Sequence, residues 1–205
     1  GFSNPTFGRK AKDLVAMVAT CSGEQVSDTS IRPTLYEGNG MDYRRYYQAG
    51  GTYFFTVVSY RREPILIQPE VRVAVRQAIE TVRKRYPFEI SAWVLLPDHL
   101  HTIWQLPDND VDFSERWRQI KRHSQYILKN EYPKLWQPRF WEHYIRDEKD
   151  FARHYDYVHF NPVKHGYVQQ AADWPYSTFH RCVKQGIYSH NWGGGQQDFT
   201  ADYDE

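Results

Sequence analysis

Residues 52–60, TYFFTVVSY, are β-branched or aromatic almost throughout, which predicts a strand. From residue 69 the apolar period changes. Val71, Val75, Ala78, Ile79 and Val82 recur at helical spacing, Pro69 suits a first helical turn, and Pro87 stops the run. Residues 88–96 predict a second strand, Pro97 and Asp98 a turn, and residues 99–106 (HLHTIWQL) a third strand, so the last two form a hairpin. Ser114 is placed to cap a second helix reaching residue 132, with Trp117, Ile120, Ser124, Ile127 and Leu128 on one face. Residues 140–146 predict a fourth strand, and residues 150–160 a third helix ended by Asn161 and Pro162.

The order β-α-β-β-α-β followed by a helix predicts an α+β fold. It is ferredoxin-like or RRM-like: an antiparallel sheet with helices on one face, plus the added helix. Residues 1–40 are rich in Gly, Ser, Thr and Asn and form an expected appendage, residues 41–192 the domain, and residues 193–205 a flexible acidic tail.

Composition narrows this picture. Hydrophobic residues make up 40%, which excludes a wholly disordered chain. Aromatics reach 17%, and aromatic rings both fill cores and stack on bases. Net charge is +1, which announces no polyanion partner; yet Asp198, Asp202, Asp204 and Glu205 concentrate acid in the tail and leave the middle of the chain basic. Two cysteines, Cys21 and Cys182, cannot make a disulfide framework, so a reducing cytoplasm is expected. No apolar run approaches the roughly 20 residues of a membrane helix, and the apolar residues 14–19 fall short of a signal's apolar region.

Two constellations carry candidate chemistry. His99 and His101 are two apart on a predicted strand, so both imidazoles leave the same sheet face and can converge on one divalent ion, while Leu100 points into the opposite layer. Tyr157 and Asn161 are four apart on the third helix and hence neighbours. A tyrosine hydroxyl, with an ordinary pKa of about 10, needs an electrophile polarised by a metal, or a base, to act as a nucleophile. The Asn161 amide oxygen is a candidate third ligand suited to Mg²⁺ or Mn²⁺. Equally, tyrosine is a good core residue, and Asn before Pro is an ordinary helix stop. Arg116, Arg118, Lys121 and Arg122, together with Lys164 and His165, are candidate phosphate contacts. Trp136, Trp141 and Trp174 are candidates to stack on bases, but all three are expected in the core.

Taken together, these residues resemble the HUH endonuclease superfamily, with Leu100 as the apolar residue between the histidines. More closely, the chain resembles the REP-associated tyrosine transposases, relatives of the single-tyrosine insertion-sequence transposases. The resemblance rests on YRRYYQAGGTYFFTV (43–57), PFEISAWVLLPDHLHTIW (87–104), WQPRFWEHYIRD (136–147), DYVHFNPVKHG (156–166) and DWPYSTFHR (173–181). It implies a catalytic helix bearing Tyr157 as nucleophile, His99 and His101 as metal ligands, and Asn161 at the position of a polar third ligand, where relatives often carry Gln. It also implies a single-stranded DNA hairpin substrate of REP type, an arm of Arg44, Arg45, Tyr46 and Tyr47 touching the bases 5′ of the stem, and action as a monomer, with the exchanged-helix dimer of the insertion-sequence relatives as the alternative. His159 is a fallback ligand. Competing readings are a replication or plasmid-transfer initiator of the same superfamily, a two-histidine phosphoesterase, and a non-catalytic RRM-type module, which would expose aromatics on its two central strands.

Overall fold

The computed structural model describes residues 46–194. The expected appendage at 1–40, Arg44 and Arg45, and nearly all of the expected tail lie outside the described residues. Four strands, β1 (Thr52–Val58), β2 (Glu89–Leu95), β3 (His99–Gln105) and β4 (Trp141–Tyr144), form one antiparallel sheet in the order β2-β3-β1-β4. The helices are α1 (Pro69–Arg85), α2 (Phe113–Ile127), α3 (Glu148–Lys164) and the short α4 (Phe179–Lys184), the last not foreseen from the sequence. This is the expected ferredoxin-like arrangement.

Strand alternation builds two cores. On one face Tyr53, Phe55, Val57, Leu100 and Trp104 pack against Val71, Val75 and Ala78 of α1 and Phe113, Trp117 and Ile120 of α2. On the other, Phe54, Ala92, Val94 and Ile103 pack against Phe151, Tyr155 and Val158 of α3 and Phe179 and Cys182 of α4. The central strands are therefore covered on both sides, and their aromatics are buried. That removes the stacking surface an RRM-type module requires.

Local chemistry fixes the helix ends. Pro69 opens α1. Asp112, rather than Ser114, caps α2 by accepting from the Glu115 N–H at 2.8 Å. Asp147 caps α3 by accepting from the Asp150 N–H at 2.8 Å. Contrary to expectation, α3 does not stop at Asn161 and Pro162 but runs through them to Lys164. The actual stop is Gly166, at φ +70°, with Tyr167 N–H bonded to the Pro162 carbonyl and Gly166 N–H to the Val163 carbonyl. This is the paired 6→1 and 5→2 closure of a left-handed glycine cap, and it satisfies carbonyls that would otherwise be orphaned. The extra turn makes Asn161 a helical residue fixed relative to Tyr157.

Candidate active site at the junction of β3 and the third helix

His99 and His101 leave β3 on the α3 side and are almost completely buried, each 1% exposed. Their rings lie 4.8 Å apart, nearly perpendicular. Each is oriented through Nδ1: His99 by the Asp98 carboxylate at 2.7 Å, His101 by the Thr56 hydroxyl at 2.9 Å. Such a second partner fixes tautomer and ring angle in histidines that coordinate through Nε2. Burial would raise the Asp98 carboxyl, but hydrogen bonds from His99 and Arg62 outweigh it and hold the group below its ordinary range.

From α3, Tyr157 brings its ring to 5.2 Å from that of His101. One turn on, Asn161 is fully buried, and neither its amide oxygen nor its nitrogen has a hydrogen-bond partner. An unpaired buried polar atom costs about 1–3 kcal/mol, so this amide is costly unless something else meets it. Two imidazoles oriented through Nδ1 and an unsatisfied amide oxygen are a donor set that fits a divalent cation. The Lys164 ammonium lies 5.0 Å from the centre of the Tyr157 ring. The His165 ring meets His99 at 5.2 Å, so positions 157, 161 and 165 form one stripe along α3 facing the histidine pair.

The other candidates lie elsewhere. His159 faces the core: its Nδ1 donates to the Tyr155 carbonyl and its Nε2 meets the Thr178 hydroxyl, and burial pushes its pKa down to about 3. It is a neutral core histidine on the wrong side of the helix to be a fallback ligand. Tyr155 is likewise buried, against Cys182. Arg116 is buried, with its guanidinium bonded to the Asp110 carboxylate and to the carbonyls of Pro87 and Asp112, and so is not a phosphate contact. Arg118 pairs with Glu115, and Lys121 donates to the carbonyls of Gln137 and Arg139. With exposed Arg122 they belong to α2, across the sheet from Tyr157. Tyr46 and Tyr47 are exposed and pack on Tyr144 and Phe113, near the end of β1 remote from His99.

A second polar group escapes a reading of the sequence. His143 of β4 and Asp150 and His154 of α3 place three potential ligand atoms within 4.8 Å of one another, a possible metal site. The Asp150 carboxylate accepts from His143 Nε2 at 2.9 Å and from the Arg146 backbone N–H at 3.1 Å, and it lies 3.1 Å from His154 Nδ1, which donates to the Asp150 backbone carbonyl at 2.8 Å. Burial opposes ionisation here, but these donors override it and hold the Asp150 carboxyl far below its ordinary range. The cluster ties the start of α3 to the sheet edge. Its signal, Asp and His four apart on a helix, points to His143 only once β4 and α3 are known to meet. Trp136 and Trp174 are buried, as expected, their indole N–H groups bonded to the Ser124 hydroxyl and the Leu95 carbonyl. Trp141 is not: it is 42% exposed. Among the described residues, no helix is long and apolar enough to cross a membrane.

Comparison with known proteins gives the family. A family model described as Transposase IS200 like matches residues 48–148. The chain is 52% identical over 162 residues to the REP-associated tyrosine transposase of Escherichia coli K12, covering 78% of this chain and 95% of the relative. A Haemophilus influenzae relative assigned to the same group is 44% identical over 165 residues, covering 75% and 93%. A solved REP-associated tyrosine transposase bound to a REP hairpin matches with a TM-score of 0.70 at 50% identity, covering 79% of this chain and 96% of that one. Identity at this level over nearly the whole length of these relatives settles the family: the chain belongs to the REP-associated tyrosine transposases.

Proposed function

We propose that this chain cuts and rejoins single-stranded DNA at REP-type hairpins, with Tyr157 as the nucleophile and His99, His101 and Asn161 holding Mg²⁺ or Mn²⁺. The observation that carries the reading is the approach of the Tyr157 ring to His101, with the unsatisfied Asn161 amide one turn further along the same helix. The hairpin substrate rests on family membership and on the solved relative, which is bound to a REP hairpin. An ion so held supplies electrophilic stabilisation of the scissile phosphate. Tyr157 Oη attacks phosphorus, its proton passing to solvent. The P–O3′ bond breaks, the 3′ oxygen takes up a proton, and a 5′-phosphotyrosyl ester remains. Attack by a 3′-hydroxyl reverses these steps and restores a strand, so the phosphodiester bond energy is retained without ATP. Lys164, beside the Tyr157 ring, and His165, beside His99, are assigned to the incoming phosphate; Arg118, Lys121 and Arg122, across the sheet, are left for the stem.

The test is a denaturing gel of protein incubated with a REP-type hairpin bearing a single-stranded 5′ flank and Mg²⁺ or Mn²⁺. A label on the 3′ end should move to the protein's mobility, and a label on the 5′ end should not. Tyr157→Phe keeps the ring and removes the hydroxyl, so it should abolish the adduct and preserve hairpin binding. Cleavage by Tyr157→Phe at the wild-type rate, or a shifted 5′ label, refutes the reading.

A further inference from the structure

Trp141, at 42%, is the one exposed tryptophan among the described residues. Its place is set by strand register. Thr56 of β1 pairs with His101 on one side and with Trp141 on the other. Residues directly opposite on neighbouring strands share a face, so His101, Thr56 and Trp141 form one row on the α3 side of the sheet. Strands lie about 4.8 Å apart, which puts the Trp141 backbone about 10 Å from that of His101. The row reaches solvent at Trp141, because β4 is the edge strand.

The indole is held and only partly covered. Its ring meets Phe54 edge-on at 5.7 Å, and Phe54 in turn touches the rings of His101 at 5.3 Å and Tyr157 at 5.9 Å. His143, two residues along β4, lies nearly parallel to it, at 6.0 Å and 12°. Burying an indole completely would add apolar stabilisation. An indole packed on Phe54 and His143, with surface left open on the sheet face that carries His101, is instead the form of a base-stacking platform. The span of about 10 Å suits the reach from a phosphate at the histidine pair to the base of a neighbouring nucleotide.

We propose that Trp141 stacks on an unpaired nucleobase next to the scissile phosphate and holds the strand across the face of His101 and Tyr157. This rests on the single-strand reading above and adds a residue to it. The occupant is a nucleobase in an unpaired strand, because a paired base presents its edges and not its face to a lateral ring. Trp141 is thus a positioning residue: it fixes which phosphate arrives at Tyr157 and takes no part in bond making.

The experiment measures binding and cleavage separately. Binding of a fluorescein-labelled REP-type hairpin with single-stranded flanks is measured in the Tyr157→Phe background, with and without Trp141→Ala or Trp141→Phe. The same hairpins are made with one abasic nucleotide at each position around the cut. Trp141→Ala should weaken binding roughly ten-fold, about 1.4 kcal/mol, within the range for one stacked base. Trp141→Phe should recover most of the loss. At one flanking position the abasic and Trp141→Ala defects should be non-additive, since each removes the same contact. Tyr126→Ala, on an exposed ring of α2, should change nothing. Additive defects at every position overturn the proposal, as does a Trp141→Ala loss that coincides with a change from dimer to monomer in sedimentation, which would make the indole a subunit contact. If Tyr157→Phe fails to bind the unmodified hairpin, the functional reading fails first; if it binds and Trp141→Ala binds equally, only the stacking role fails.

Discussion

Replacing Asn161 by Leu separates the needs of the site from those of the fold. Leu keeps the branching of Asn at Cγ but is larger by roughly two methylenes, and the Asn161 amide is fully buried with both polar atoms unpaired. Each such atom costs about 1–3 kcal/mol, so removing both, less about 2 kcal/mol for the added volume, should stabilise the metal-free protein by about 2 kcal/mol. For a protein of this size that is a rise in Tm of about 4–8 °C. With Mg²⁺ or Mn²⁺ at a hundred times its Kd, the wild type gains about 2.7 kcal/mol from ligation, and the variant gains much less. The order of stability should therefore invert between chelator and metal, while Asn161→Leu forms little covalent adduct. Thermal unfolding in EDTA and in a Mn²⁺ series reads this directly. An Asn161→Leu protein raised by Mn²⁺ as much as wild type would show that the amide has no ligand role.

Three further perturbations test other parts of the structure. Asp98→Asn weakens the hold on His99 Nδ1 and should raise the Mn²⁺ concentration for half-maximal adduct formation about 10- to 100-fold; an unchanged midpoint would dismiss the carboxylate as an orienting group. The Asp156 carboxyl is pushed up to about 6 by burial, with the Tyr188 hydroxyl bond opposing. A raised folded-state pKa gives stability that is complete below the unfolded pKa, near 4, and lost as pH rises through about 6. Asp156→Asn should therefore raise Tm at pH 8 relative to wild type and give no gain at pH 4, and equal gains at both would refute the linkage. At Gly166 an added Cβ would meet nothing within 4 Å, so Gly166→Ala should cost only the left-handed backbone, about 1 kcal/mol, seen as a Tm about 2–4 °C lower; a loss several times larger would mean the cap does more than end the helix.

Much of this is legible in the sequence because two periodicities carry it. Alternation along residues 52–58 and 99–105 sorts Phe54, His99 and His101 from Phe55, Leu100 and Trp104, and so puts both histidines on one face by spacing alone. The four-residue spacing does the same for Tyr157 and Asn161. What fails are signals whose meaning depends on partners distant in sequence. Asn161 and Pro162 read as a stop, yet α3 carries Pro162 inside it despite the missing N–H, and the cap that ends the helix is built further on, at Gly166. Arg116 reads as a surface cation, but Asp110 and the Pro87 carbonyl meet it inside. Trp141 reads as core, since nothing in the sequence states that β4 is the edge strand or leaves the outer side of its indole uncovered. The His143, Asp150 and His154 cluster likewise exists only because β4 and α3 touch.

The passage of α3 through Pro162 has a mechanical consequence. The proposed nucleophile and the candidate third ligand ride on one rod, while the histidine pair is rooted in the sheet. Loosening the rod cannot withdraw the tyrosine and leave the ligand behind, or the reverse. A partly lifted helix should therefore give a silent enzyme and not a careless one, in which a half-built centre lets water cut DNA without holding the end. What sets that threshold is the seating of the rod: Phe151, Tyr155 and Val158 beneath it and Asp150 fastened to His143 at its start. Fidelity in strand rejoining would then be a property of how well one helix is clamped, at residues that never meet the nucleic acid.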